Sequence, residues 1–87
     1  MTDTLSRIIA IVRGELASHR PAHTLPEITA ESSFERDLAC DALDIISIEL
    51  ALEDEFCVIF PAERLEACET VGALAELVWS LISAEAA

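Results

Sequence analysis

A chain of 87 residues has room for one small core, and its 17 acidic against 5 basic residues leave a net charge of −12. That field repels nucleic acid and anionic membrane surfaces and draws partners with basic patches. With 53 % hydrophobic residues the chain is too apolar for disorder, so a single domain spanning 1–87 is expected. The three cysteines, Cys40, Cys57 and Cys68, form no Cys-x-x-Cys pair. They read as small apolar side chains in a reducing compartment. Residues 1–13 carry Arg7 and Arg13 inside their apolar stretch, unlike a signal peptide or a membrane span. No membrane insertion and a cytoplasmic location are expected.

Residues 3–18 read as an amphipathic helix, with Leu5, Ile8, Ile9, Val12 and Leu16 on one face and Asp3 or Thr4 as its cap. A long irregular stretch follows from His19 to about Cys40, where Pro21 and Pro26 exclude a regular helix. Leu25, Ile28, Phe34 and Leu38 are its expected anchors, and Ser32–Glu35 a short helical turn. The second helix is predicted over 41–56 with Asp41 as N-cap. It carries two apolar stripes. Ile45, Ile48, Leu52 and Phe56 form one, and Leu43, Ile46 and Leu50 form the other, well over a quarter-turn away. So small a domain cannot easily bury both, so the second stripe is read as an exposed ridge for a partner. Glu53 and Asp54 flank it, with Asp44 and Glu49 further round. An apolar strip edged with carboxylates suits a groove with a basic rim.

Cys57–Phe60 reads as a loop, since no second strand could pair with it. Pro61 opens a short third helix to about Ala67, with Leu65 inward. Thr70 caps a last helix over 71–83, which buries Val71, Leu74, Leu77, Val78, Leu81 and Ile82. Trp79 is expected to pack on the bundle with part of its ring exposed. The fold class is all-α: a four-helix bundle of three longer helices and one short one, with a long first loop.

Little here points to catalysis. His19 and His23 lie in the long loop without a nucleophile at a readable spacing, and read as exposed loop residues. A glycine-rich phosphate loop, a His/Cys metal cluster and a calcium-loop spacing are all missing from the sequence.

The segment Phe34-Glu35-Arg36-Asp37-Leu38-Ala39-Cys40-Asp41-Ala42-Leu43-Asp44 resembles the acyl carrier protein signature Phe-x-x-Asp-Leu-Gly-x-Asp-Ser-Leu-Asp. The similarity continues through Glu49–Phe56, Phe60–Glu63 and Thr70–Leu74, and covers roughly residues 5–80. The resemblance implies a bundle of the acyl-carrier type that holds acyl thioesters on a 4'-phosphopantetheine arm at position 42. Such carriers serve fatty acid or specialised lipid synthesis. It implies an acyl pocket lined by Ile48, Leu52, Phe56 and Leu74. It also implies that basic patches on acyltransferases, synthases and the phosphopantetheinyl transferase dock on the second helix. Asp41, Asp44, Glu53 and Asp54 would make ionic contacts there, and Leu43, Ile46 and Leu50 apolar ones. A monomer without enzymatic activity of its own is expected.

Three residues depart from the pattern. Ala42 stands where the modified serine belongs, Ala39 where a glycine is usual, and Ser47 where many members carry an acid. A methyl group cannot form the phosphodiester, so no 4'-phosphopantetheine can be attached to Ala42. Two explanations compete: a Ser-to-Ala substitution of an ordinary carrier, or a naturally armless interaction module. The intact Asp41, Leu43 and Asp44 favour the first.

Overall fold

Apolar residues spaced three and four apart build α1 (Thr2–Ala17) in a computed structural model that describes residues 2–86. Ile8, Val12 and Leu16 are fully buried along one face of this helix. The helix begins at Thr2, so Asp3 lies in its first turn and Thr4 is buried, and neither is the cap expected from the sequence. There the Asp3 charge still favours the positive helix end. A 3₁₀ turn follows Pro21 at Ala22–Thr24, where the Thr24 amide and hydroxyl both donate to the Pro21 carbonyl at 3.0 and 2.7 Å.

The remaining helices are α2 (Ala42–Phe56), α3 (Ala62–Glu66) and α4 (Val71–Ala86). The first helix packs on both α2 and α4, and α3 packs on α4. The core between them takes Ile48 and Leu52 from α2, and Val71, Leu74, Ala75, Leu77 and Val78 from α4. Ile28, Phe34 and Leu38 of the long loop are buried in the same cluster, as their apolar character requires. Leu25, Phe56, Leu65, Leu81 and Ile82 pack around its edge.

The second half of the long loop is bound to the start of α4 through its backbone. The Phe34 amide donates to the Glu69 carbonyl at 3.0 Å, Val71 to Ser32 at 3.0 Å and Gly72 to Ala30 at 2.7 Å. Ser33 and Thr70 thereby form an isolated antiparallel bridge, and the helical turn expected at Ser32–Glu35 starts one residue later, with the Asp37 and Leu38 amides both donating to the Ser33 carbonyl at 3.0 Å. Glycine is needed at 72 because a Cβ there would lie 2.9 Å from the Ala30 oxygen. Thr70 caps α4 as expected, accepting from the Ala73 amide at 3.1 Å.

Both ends of α2 pass through left-handed backbone at residues other than glycine. Ala39 has φ 51° and Cys57 φ 55°. At Cys57 the turn sends Val58 and Phe60 inward and leaves Ile59 outside. It is locked by the Phe60 amide, which donates to Glu53 Oε2 at 2.9 Å. Among the described residues, no helix is long and apolar enough to cross a membrane.

Two predictions follow from this packing. Leu52→Ala leaves a void at a fully buried position and should cost about 2–5 kcal/mol, whereas Leu50→Ala on the exposed stripe should stay within about 0.5 kcal/mol. Denaturant titration compares the two. Ala39→Gly relieves a left-handed alanine and should raise stability by about 1 kcal/mol, seen as a higher Tm.

Candidate functional site

The start of α2 is held by a reciprocal pair of carboxylates. Asp41, the N-cap with extended backbone, accepts from the Asp44 amide through Oδ1 at 2.9 Å. Asp44 Oδ2 accepts from the Asp41 amide at 3.1 Å, which completes a capping box. Ala42 is thus the first residue of the helix, with its methyl group exposed to solvent. The sequence offers no hydroxyl at this point, so a 4'-phosphopantetheine does not fit the residue present and no chemistry can pass through one here.

Asp44 is not the exposed flank that helical spacing leads one to expect. It is buried, at 6 % exposure. His19 Nε2 lies 2.6 Å from Oδ1, and Arg20 Nη2 donates to Oδ2 at 2.7 Å. Arg20 also donates to the carbonyls of Leu38 (2.5 Å) and Ala39 (3.0 Å). The end of α1 and the approach to α2 are therefore tied together at one carboxylate. Burial pushes the Asp44 carboxyl up, but the Asp41 amide, His19 and Arg20 together outweigh it and hold the group below its ordinary value.

The other predicted residues separate by exposure. Leu43, Ile46 and Leu50 are 73, 48 and 59 % exposed, so their stripe is open to solvent. Asp41 and Asp54 are exposed beside it. Glu53 is half-buried, its Oε2 committed to the loop lock at Phe60. Burial, and then the neighbouring Glu53, push the Glu49 carboxyl up. The four expected acyl-pocket residues occupy two settings. Ile48, Leu52 and Leu74 lie together in the core, while Phe56 sits at its margin with the Arg7 guanidinium 4.6 Å from its ring centre. Arg7 also pairs with Glu55.

Three features escape the spacing rules. His19 and Arg20 stand 25 and 24 residues before Asp44, and no local signal links them. Ile59, 82 % exposed, extends the apolar surface beyond the end of α2. All four residues of the Cys57–Phe60 link are apolar, so the sequence carried no signal that Ile59 faces outward. Cys40, two residues before Ala42, is no activated nucleophile. Burial and the Asp44 and Asp41 charges push its thiol up against the opposing pull of Arg20.

Because the folded-state pKa of Asp44 is depressed, its contribution is present above the unfolded value of about 3.9 and is lost as pH falls through the lower folded value. Asp44→Asn should thus melt well below the parent chain at pH 7, and the gap should close below about pH 4. Thermal melts at a series of pH values test this, and a gap that stays constant would show that Asp44 does not stabilise through its charge.

The family model described as "Phosphopantetheine attachment site" matches residues 6–78. A curated relative from Caulobacter vibrioides, described as a probable acyl carrier protein, is 44 % identical over 52 residues, 60 % of each chain. The chain thus matches less than two thirds of that relative's length. The solution structure of a holo acyl carrier protein from Geobacter metallireducens superposes with a TM-score of 0.76 at 24 % identity, covering 95 % of this chain and 90 % of the other. That likeness bears on the fold, and the bundle of four helices agrees with it. Proteins of this kind carry groups and do not catalyse. The family model spans the core, the capping box and the exposed stripe alike, and the chain belongs to the phosphopantetheine-binding acyl carrier protein family.

Proposed function

We propose that this chain is an acyl carrier protein of fatty acid or specialised lipid synthesis, in a form whose attachment position is alanine. It docks on basic-patched acyltransferases, synthases and a phosphopantetheinyl transferase in the cytoplasm, but bears no acyl thioester. The observation that carries this reading is the solvent-exposed ridge Leu43, Ile46 and Leu50, edged by the exposed carboxylates of Asp41 and Asp54 and beginning beside residue 42. With a serine at 42, the arm would stand at the start of this ridge. The side chains of Ile48, Leu52 and Leu74, with Phe56 at the margin, would then shelter an acyl tail by parting within the core.

A second reading, a naturally armless interaction module, is favoured by one observation. Asp44, a carboxylate of the signature, has both oxygens engaged by the chain's own side chains.

The two readings part on Ala42→Ser. Incubated with a broad-range phosphopantetheinyl transferase and coenzyme A, the serine variant should gain the mass of one arm and the parent chain none. If the serine variant also stays unmodified, the armless module is the better account. The docking ridge has its own test. The parent chain should compete with a serine-bearing carrier for that transferase, and Asp54→Lys, at an exposed position, should weaken this inhibition by about three- to tenfold at low salt, with the loss shrinking at high salt. An unchanged inhibition constant would remove Asp54 from the docking surface.

A further inference from the structure

The carboxylate of Asp44 is saturated from within. Oδ1 meets His19 Nε2 at 2.6 Å, and Oδ2 accepts from Arg20 Nη2 at 2.7 Å and from the Asp41 amide at 3.1 Å. Its side chain is 8 % exposed. The charged and titratable groups around it are Asp41 and Cys40 from its own segment, and His19 and Arg20 from the segment after α1. Neither side chain is sealed in: that of His19 is 49 % exposed and that of Arg20 22 %. Asp44 sits one helical turn from the exposed Asp41 and beside Leu43 and Ser47, around a shallow depression of about 270 Å³ that His19 also lines. A histidine and an arginine on a carboxylate at the rim of an acidic docking ridge present the chemistry that a basic partner would bring.

We propose that His19 and Arg20 are an internal stand-in for a partner's cations, so that docking at the first turn of α2 competes with the chain's own clamp. This inference rests on the docking reading above. In the clamped state Asp44 contributes nothing to a partner, and the ionic part of recognition falls on Asp41 and Asp54. When residues 19–20 lift away, Asp44 is uncovered in the turn that bears position 42. The clamp thus raises the threshold for engagement of that end of the helix. It leaves the Leu43–Ile46–Leu50 stripe open.

The unmodifiable chain is its own probe. It can compete with a serine-bearing acyl carrier protein for a broad-range phosphopantetheinyl transferase, and its inhibition constant reports docking without any transfer to itself. Under the inference, the His19→Gln/Arg20→Gln variant inhibits more strongly than the parent, by about tenfold. Asp44→Asn added to the double variant abolishes its gain, because the gain comes from the uncovered carboxylate. A purely structural clamp gives the opposite: the double variant, folded by circular dichroism, inhibits equally or less, and the inference is overturned. Should the double variant not fold, His19→Gln removes just the more exposed partner of Asp44, and its inhibition must still rise about twofold or more. No inhibition by the parent or by any folded variant would overturn the docking reading itself. A parent that inhibits beside variants that do no better overturns this inference alone.

Discussion

One carboxylate organises this small bundle. Asp44 closes the capping box of α2, pairs with Arg20 and meets His19 from the segment after α1, and lies two residues from the position at which the family attaches its arm. Buried ion pairs are costly to assemble because both charges lose water. Here the cost is offset by the contacts of His19, Arg20 and the Asp41 amide to the two carboxylate oxygens and by two backbone carbonyls that share the guanidinium. Removing either partner would strand a charge, so the local structure is specified more firmly than an apolar contact would specify it. The left-handed Ala39 and the turn at 33–40 are held in place by the same arginine.

The second organising feature is the division of α2 into a buried and an open stripe. Ile48 and Leu52 face the core while Leu43, Ile46 and Leu50 face solvent. A helix with apolar residues on both sides would ordinarily be central in a larger fold. Among the described residues no further layer covers it, and the uncovered side remains available. The acidic excess keeps such a surface soluble and biases it toward cationic partners.

Much of this was legible in the sequence, because local rules apply where local rules dominate. The 3.6-residue period located α1, α2 and α4, and Asp41 and Thr70 behave as caps because each has an amide three residues on that needs an acceptor. The anchors Ile28, Phe34 and Leu38 are buried because a long loop over a thin core has little else to bury. What did not follow from spacing came from long-range pairing. Asp44 looked like a surface acid because its helical angle is all that spacing reports, and its partners arrive from the far end of a loop. Glu53 likewise turned out to serve the Phe60 amide seven residues on. Ser32–Glu35 has the composition of a helical turn, and Ser33 does open one, but the Ser32 carbonyl and the Phe34 amide found partners at Val71 and Glu69 instead.

That last exchange has a consequence for how the molecule comes apart. The amides of Phe34, Val71 and Gly72 lie outside the regular hydrogen bonding of the helices, yet they are shared between two segments distant in sequence. Opening one segment must release the other, so the loop and the first turn of α4 belong to a single cooperative unit. In native-state hydrogen exchange these three protons should share one opening free energy. The long connection would then exchange as slowly as a helix, a kinetic signature its irregular backbone gives no hint of.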